Sequence, residues 1–183
     1  ALREGLAGNS IKRITGILNG TCNYILSTMR ATGREFADVL KEAQDLGYAE
    51  AEPSLDVDGY DAAHKIGILA SLAHGFWVNQ DDIHVEGIRG ITKLDIQFAS
   101  QLDYTIKLLA IAKQVEAPAA GRPGKTADGS RVQVSVYPTL VPNSHVLASI
   151  NDVYNAVFVR GDIVGDTLYY GRGAGKDATA SAV

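Results

Sequence analysis

The chain has 183 residues, and its 17 Lys and Arg residues against 21 Asp and Glu residues give a formal net charge of −4 at pH 7. This charge excludes a general nucleic-acid binder, because no basic excess is available to neutralise phosphates. Hydrophobic residues make up 46% and charged residues 21%, which excludes a disordered chain, and the lack of an apolar run of ~18 residues excludes a membrane-spanning helix.

The first third of the sequence predicts one strand followed by three helices. Alternating apolar residues indicate a strand at 11–18, and apolar residues at helical spacing indicate helices at 22–30 and 36–46. Gly33 and Gly47 stand where these two helices should end. An acidic loop at 48–59 then precedes a helix at 60–76.

The helix at 60–76 is predicted to be the most buried one. It is apolar almost all round from residue 66 to residue 73, so we expect no exposed face there. Phe76 and Trp77 at its end are expected in the core. Asp58 is the expected N-cap, and Asp61 adds negative charge to the first turn.

The rest of the chain changes from helical to strand-like patterns. We predict a short strand at 85–91 and a helix at 95–113, with Leu102, Ile106, Leu109 and Ala110 facing inward. A turn-rich segment at 116–131 is either a hairpin tip or a disordered excursion.

Period-two alternation then indicates strands at 132–141, 156–164 and 166–170, before a glycine-rich segment at 171–175 that leads into a candidate helix. The order strand, helices, strands predicts an α+β fold, with a mixed β-sheet and helices packed on one face.

Two smaller features concern the compartment and the completeness of the chain. Cys22 is the single cysteine, which excludes an intrachain disulfide framework and is typical of a reducing compartment. The chain begins without a methionine and stops within a run of small apolar residues. We therefore expect it to be a piece of a longer protein.

The acidic loop and the helix after it carry the strongest chemical signal. Asp61 and Lys65 are four residues apart, so they share one helix face. Lys65 precedes the stretch that we expect to be buried, and a partly buried amine has a lowered pKa and can move protons near neutral pH. The alternative is a simple ion pair at a helix start. Five carboxylates lie within this stretch: Glu50, Glu52, Asp56, Asp58 and Asp61.

Those carboxylates have three possible roles. They could form a solvated acidic rim, a cation site, or a receptor for a substrate ammonium. A second candidate is Asn19-Gly20-Thr21, between a predicted strand and a predicted helix. The free N–H groups of that helix start would favour an anion such as a carboxylate. The alternative is a plain turn with Thr21 as N-cap.

Other candidate motifs are weaker. The late run GRGAGK at 171–176 fails the P-loop pattern, because Asp177 follows where Ser or Thr is required, and it also fails G-x-G-x-x-G. The four histidines show no metal-ligand spacing with Cys22, so we expect no metal site. Cys22 itself fits the core better than a nucleophile.

Taken together, these segments resemble one family. The run AQDLGYAEAEPSLDVDGYDAAHK at 43–65 closely resembles the signature of homoserine dehydrogenases. The runs GILNGTCNYILSTM at 16–29 and GRGAGKDATASAV at 171–183 are similar to that family as well. One departure is Glu52, where the family usually has Asp before Pro. The added methylene keeps the charge.

The resemblance implies an activity and a domain order. Members of the family interconvert L-homoserine and L-aspartate 4-semialdehyde with NAD or NADP, in threonine, methionine and isoleucine biosynthesis. Residues 1–183 would be the catalytic and dimerisation domain of a cytoplasmic homodimer, with neither nucleic-acid nor membrane partners. The N-terminal Rossmann domain, which binds most of the cofactor and supplies a second lysine, and any C-terminal ACT domain would be absent.

The resemblance also assigns roles to residues. Lys65 would be the general acid and base, assisted by Asp61. The expected substrate-binding residues are Gly20, Thr21, Tyr48, Glu50 and Asp56. The expected cofactor-binding residues are Gly173, Ala174 and Gly175.

Two other functions stay open at this point. The chain could be a folded dimerisation module without activity of its own, in which the late strands continue a sheet across a two-fold interface. It could also belong to a related dehydrogenase that acts on another amino acid. No strand followed by G-x-G-x-x-G occurs in the sequence, so we expect the 183 residues alone to bind the cofactor poorly and to be inactive.

Overall fold

The fold is known from a computed structural model, which describes residues 2, 4–115, 131–173, 180, 181 and 183. In this part of the chain there are six strands: β1 (Ile11–Ile17), β2 (His84–Val85), β3 (Tyr104–Val115), β4 (Arg131–Pro142), β5 (Tyr154–Gly161) and β6 (Asp166–Arg172). It also has five α-helices: α1 (Gly20–Thr32), α2 (Phe36–Asp45), α3 (Ser54–Val57), α4 (Tyr60–His74) and α5 (Lys93–Gln101). Short 3-10 turns lie at Gln80–Asp82 and Val146–Ser149.

The six strands form one sheet in the order β2-β4-β3-β1-β5-β6. The β2–β4 pair is parallel and every other pair is antiparallel. Strand β1 lies near the middle, where Thr15 is opposite Ile111 on one side and Phe158 on the other. The sheet is therefore mixed, and the predicted α+β class is confirmed.

The two faces of the sheet carry different cores. On one face, sheet residues such as Ile14 and Val136 pack with Ile25, Met29 and Ile66 from the helices. On the other face, a smaller cluster joins Ile17, Leu109 and Ile111 to Leu147 of the second 3-10 turn. The α-helices thus cover one face, as the sequence predicts.

Most of the predicted elements exist within a few residues of their expected bounds. The strands at 11–18, 132–141, 156–164 and 166–170 correspond to β1, β4, β5 and β6, and the helices at 22–30, 36–46 and 60–76 correspond to α1, α2 and α4. Gly33 ends α1 with a φ of 68°, and Gly47 follows α2 with a φ of 76°. The strands on either side of 116–130 pair with each other from Val115 and Arg131 onward.

The predicted helix at 95–113 is wrong. The helix ends at Gln101, and a turn through Asp103, whose φ is 63°, leads directly into β3. Strand β3 lies between β1 and β4 and is buried on both faces, so it reads as a continuous apolar run that cannot be told from a buried helix by periodicity. Leu102, expected to face inward, is exposed.

The surroundings of α4 also differ from expectation. Ile68 and Leu72 are exposed on the face that was predicted to be buried, and 79% of Trp77 is exposed rather than in the core. Asp58 does not cap α4, since the helix starts after Gly59, whose φ is 90°. The predicted strand at 85–91 is wrong beyond its first residue, since β2 consists of His84 and Val85 alone. No helix in the described ranges is both long and apolar enough to span a membrane.

Candidate active site

Lys65 lies in the second turn of α4, near the end of β1. Its Nζ donates a hydrogen bond to Asp61 Oδ2 at 2.7 Å and another to the carbonyl oxygen of Leu18 at 3.0 Å. Within the described part of the chain these bonds use two of the three N–H groups, which leaves one for a ligand. The side chain is 50% exposed, so the burial that the helix pattern predicted for this amine is not found.

Asn19 joins Lys65 and Asp61 to the acidic loop. Its Nδ2 donates to Asp56 Oδ1 at 2.6 Å and to Asp61 Oδ2 at 2.9 Å. Its Oδ1 accepts a hydrogen bond from the Cys22 backbone N–H at 2.8 Å, which makes Asn19, and not Thr21, the N-cap of α1. We refer to Asn19, Asp56, Asp61 and Lys65 as the carboxylate cluster.

Sequence reasoning placed Asn19 in a candidate anion-binding turn but missed the hydrogen bonds of its side chain to the two carboxylates. The available signal was its place directly after a strand and three residues before Cys22, where a cap residue is expected. Its side chain is only 5% exposed, and a buried amide needs partners for all its polar atoms. The two carboxylates accept from its Nδ2, and the Cys22 backbone N–H donates to its Oδ1.

Asp56 is brought to the cluster by the short helix α3. That helix is anchored by Val57, which is fully buried. The Asp56 carbonyl oxygen is 3.2 Å from the Sγ of Cys22. Cys22 lies in the core, as expected, and burial raises the pKa of its thiol well above the usual value, assisted by the negative charges of Asp56 and Asp61. The thiol therefore stays protonated and is not a nucleophile.

Thr21 and Tyr48 are in direct contact beside this cluster. Thr21 Oγ1 donates to the Tyr48 carbonyl oxygen at 2.7 Å, and the Tyr48 ring packs edge-on against Tyr24 with centroids 5.0 Å apart. Tyr24 in turn donates to Glu42 at 2.6 Å, and this bond raises the pKa of the phenol. Glu42 is also paired with Arg34, so α1, α2 and the start of the acidic loop are held together.

Glu50 is exposed and stands apart from the cluster. Its carbonyl oxygen accepts a hydrogen bond from Gln44 at 3.1 Å, but no described residue bonds to its carboxylate. The structure thus does not join Glu50 to Asp56 or Asp61. A substrate-binding role for Glu50 stays a prediction.

The two remaining carboxylates of the loop point to other partners. Glu52 accepts hydrogen bonds from the hydroxyl and backbone N–H of Ser54, which lower the pKa of its carboxyl group. Asp58 forms an ion pair with Arg89. Of the five carboxylates in the loop and the helix start, Asp56 and Asp61 alone are joined to Asn19 within the described part of the chain.

Gly20 and Gly173 meet around one side chain, that of Asn155. A Cβ at Gly20 would lie 2.9 Å from the Val153 carbonyl oxygen, and a Cβ at Gly173 would overlap the Asn155 side chain. Asn155 Nδ2 donates to the Ile17 carbonyl oxygen at 3.1 Å. The end of β1 and the late glycine segment are therefore close together, which the sequence did not reveal. Ala174 and Gly175 lie outside the described residues.

The carboxylate cluster has the charges and groups that an amino alcohol needs. Asp56, Asp61 and Lys65 together carry one net negative charge at neutral pH, which favours a cationic ligand such as an ammonium. The amine of Lys65 can exchange a proton with a hydroxyl placed beside it. The cluster is open to solvent at Lys65, whereas a cavity of about 200 Å³ lies on the opposite face of the sheet beside Thr15, Leu109 and Phe158.

Comparison with known proteins identifies the family to which the chain is similar. A family model described as homoserine dehydrogenase matches residues 1–183. Homoserine dehydrogenases of Synechocystis sp. and Neisseria gonorrhoeae are 53% and 51% identical over all of this chain, which covers 40% and 39% of their lengths.

Solved structures give the same result. A homoserine dehydrogenase of Thiobacillus denitrificans superposes on the whole chain with a TM-score of 0.91 at 48% identity, and the match covers 39% of that protein. A hyperthermophilic archaeal homoserine dehydrogenase in complex with NADPH has a TM-score of 0.76 at 30% identity over 98% of this chain and 47% of its own. The chain thus spans about two fifths of the length of the curated relatives it matches.

Proposed function

The chain belongs to the homoserine dehydrogenase family, and we propose that the polypeptide carrying it interconverts L-homoserine and L-aspartate 4-semialdehyde with NAD or NADP. The observation that carries this proposal is the amine of Lys65, held by Asp61 and the Leu18 carbonyl oxygen beside an open acidic surface. The pathway that follows is the biosynthesis of threonine, methionine and isoleucine, in the cytoplasm.

Lys65 would move the proton of the reaction. In the direction of oxidation, its neutral amine accepts the hydroxyl proton of homoserine as the carbon of that alcohol loses hydride, and in reduction its ammonium returns the proton to the aldehyde oxygen. Asp61 and the Leu18 carbonyl oxygen fix the direction of the Nζ. Asp61 therefore acts by orienting the amine.

The surrounding residues would bind the two charged ends of the substrate. The negative charge of Asp56, with that of Glu50 nearby in sequence, suits the ammonium. The start of α1 at Gly20 and Thr21 suits the carboxylate, because backbone N–H groups at a helix N-terminus favour anions. Tyr48, fixed against Tyr24, would pack on the aliphatic part.

The cofactor, when bound, supplies the hydride acceptor or donor. Of the three residues expected to contact it, Gly173 is the one that the structure describes, and its lack of a side chain makes room for the Asn155 side chain. Most of the binding would come from a Rossmann domain outside the 183 residues. We therefore expect the chain alone to be inactive.

A homodimer is part of the same proposal. Strand β6 pairs with β5 on one side and stands at the edge of the described sheet. It exposes Tyr169 and Tyr170, and an edge strand with exposed apolar residues favours pairing with another copy. Sedimentation equilibrium of the purified chain tests this, and a monomer at all concentrations would contradict it.

The experiment that tests the activity uses the complete polypeptide. We expect homoserine-dependent reduction of NAD or NADP, and a panel of other amino alcohols to react more slowly. Lys65→Ala should lower kcat by at least about 10²-fold, the scale of general acid–base catalysis, with the melting temperature little changed.

A matched control is Lys41→Ala. Lys41 and Asp45 also form an i,i+4 ion pair on a helix, α2, which carries no member of the carboxylate cluster. This variant should keep full turnover. Near-normal turnover of Lys65→Ala would remove Lys65 from the mechanism, and faster turnover of another substrate would assign the protein to a related dehydrogenase.

A further inference from the structure

The side-chain amide of Asn19 uses both of its N–H groups and its oxygen in hydrogen bonds, and this feature carries a further inference. Both carboxylate contacts come from the same nitrogen, at 2.6 Å and 2.9 Å, so the two carboxylate oxygens cannot be farther apart than the sum of these distances. Two carboxylates this close repel each other. Donors placed between them offset that repulsion, because each N–H lies toward a different oxygen.

We propose that Asn19 is the positioning residue of the carboxylate cluster, which sets the spacing of Asp56 and Asp61 and leaves their negative charge available for the substrate ammonium. This inference rests on the proposed function. It adds a residue and a physical role that neither the acidic loop nor Lys65 supplies by itself.

The charge of the donor matters as much as its position. Asn19 is neutral, so the sum over Asp56, Asp61 and Lys65 stays at one negative charge. A lysine or arginine in the same place would hold the carboxylates equally well, but it would cancel that charge and remove the attraction for an ammonium. A neutral donor therefore organises the site without neutralising it.

Asparagine is also the residue whose side chain can form all three of these hydrogen bonds. It offers two donors and one acceptor at the end of a short side chain, and the acceptor is used by the Cys22 backbone N–H. Serine could cap the helix but could donate to one carboxylate at most. Aspartate could cap the helix but could donate to neither.

One residue thus connects four elements. Asn19 follows β1, caps α1, and bonds to Asp56 on α3 and to Asp61 on α4. The Lys65 amine donates a hydrogen bond to the carbonyl oxygen of Leu18, the residue that precedes Asn19. The position of the proton-transfer group and the position of the carboxylates are therefore set by the same stretch of backbone.

Two variants of the complete polypeptide test the role. Asn19→Ser keeps the helix cap and neutrality but removes the double donor, so we expect the KM for homoserine to rise by about tenfold or more while the KM for NAD or NADP stays within about twofold, since a bidentate contact is lost at the substrate end alone. If the role of Asn19 were purely structural, Asn19→Ser would change the KM values for homoserine and for the cofactor together, or it would change neither.

Asn19→Asp keeps the shape and the cap but adds a negative charge. The titratable groups that face position 19 are Asp56 on α3, Asp61 and Lys65 on α4, and the Cys22 thiol on α1. Because the added charge favours the protonated amine, the pH profile of homoserine oxidation should move to higher pH by about one unit, whereas that of Asn19→Ser should not move.

The outcomes separate the two proposals. A wild-type polypeptide without homoserine oxidation overturns the proposed function and this inference with it. An active wild type whose Asn19→Ser variant keeps both KM values within about twofold overturns the inference alone. Should Asn19→Asp fail to fold, the KM comparison for Asn19→Ser, which keeps the cap, still decides.

Discussion

Two lysines, Lys65 and Lys107, show how differently an amine can be held in one protein. Lys65 is half exposed and paired with the carboxylate of Asp61 on the surface that carries the proposed chemistry. Lys107 in β3 is 1% exposed and has no carboxylate among its described hydrogen-bond partners. Its Nζ donates to Asn23 Oδ1 at 3.0 Å, to Asn151 Oδ1 at 3.1 Å and to the Ile150 carbonyl oxygen.

The difference appears in the acid–base properties of the buried amine. Burial, assisted by the positive charge of Arg30 and opposed by Asp152, lowers the pKa of Lys107 to about 8. A lowered pKa is one mark of a functional lysine, yet Lys107 is enclosed by oxygen acceptors and has no opening to a substrate. Access and orientation, rather than burial, therefore identify Lys65 as the candidate for chemistry.

The largest effect should come from Lys65→Arg. Arginine can keep the ion pair with Asp61, but its guanidinium does not give up its proton at any ordinary pH. We expect kcat of the complete polypeptide to fall by about 10²- to 10⁴-fold while the fold stays intact. Steady-state kinetics measures this, with Lys41→Arg as the control in a second i,i+4 pair. If turnover is unchanged in Lys65→Arg, the ion pair of Lys65 with Asp61 is only structural, and the functional contrast between Lys65 and Lys107 disappears.

The next effect concerns Lys107 and the stability of the chain at alkaline pH. The unfolded amine keeps its proton up to about pH 10.5, whereas the folded amine loses it near pH 8. The unfolded state thus binds more protons between these values, and stability rises with pH across this window. Relative to Lys107→Met, the wild type should gain up to about 3 kcal/mol between pH 8 and pH 10.5.

Urea unfolding of both proteins at several pH values measures that difference. Lys113→Met on the same strand is a suitable control, because Lys113 is only partly buried. A difference between wild type and Lys107→Met that stays constant from pH 8 to pH 10.5 would mean that Lys107 titrates as an ordinary lysine.

A smaller effect should follow from Asn151→Ala. This change removes one of the three acceptors of the Lys107 amine, and the loss of a hydrogen bond to a charged group costs about 1.5–3 kcal/mol. Because the lost acceptor stabilised the ammonium, the pH at which stability begins to rise should also move below that of the wild type. Urea unfolding across the same pH range measures both values, and an unchanged onset would show that this acceptor does not hold the proton.

The smallest effect is expected for Asp58→Asn. Asp58 belongs to the acidic loop but pairs with Arg89 instead of Asn19, and exposed ion pairs contribute about 0.2–1 kcal/mol. Turnover and KM of the complete polypeptide should stay within about twofold of the wild type. A large loss of turnover would place Asp58 in the site and enlarge the carboxylate cluster.

Sequence reasoning located the loop and the helix of the site and named Asn19 in a candidate turn, but it did not show that Asn19 joins the loop to the helix. Helix α4 and the i,i+4 pair of Asp61 and Lys65 follow from local spacing, which a sequence displays directly. Asn19 bonds to residues 37 and 42 positions away, and a contact of that length depends on how the elements pack. The exposed face of α4 was missed for a similar reason, since composition does not show which side of a helix meets the core.

Lys107 was missed because its strand was taken for a helix. Strand β3 is apolar over most of its length, and its partners β1 and β4 decide its conformation. Strand β1 lies far from β3 in the sequence, and β4 follows β3 only after the 116–130 segment. The conformation of β3 is therefore set by tertiary pairing, and the environment of each of its side chains is known only once the sheet is complete.

The place of β1 in the sheet determines when this protein can assemble during synthesis. Residues 11–17 leave the ribosome well before their neighbours in the sheet, which are β3 at 104–115 and β5 at 154–161. Pairings of such long sequence separation form slowly. Leu18 and Asn19, which follow β1, can thus take up their final positions only after residue 161 has been translated. Nascent chains stopped before β5 should therefore lack an ordered carboxylate cluster, even though all four of its residues are already present.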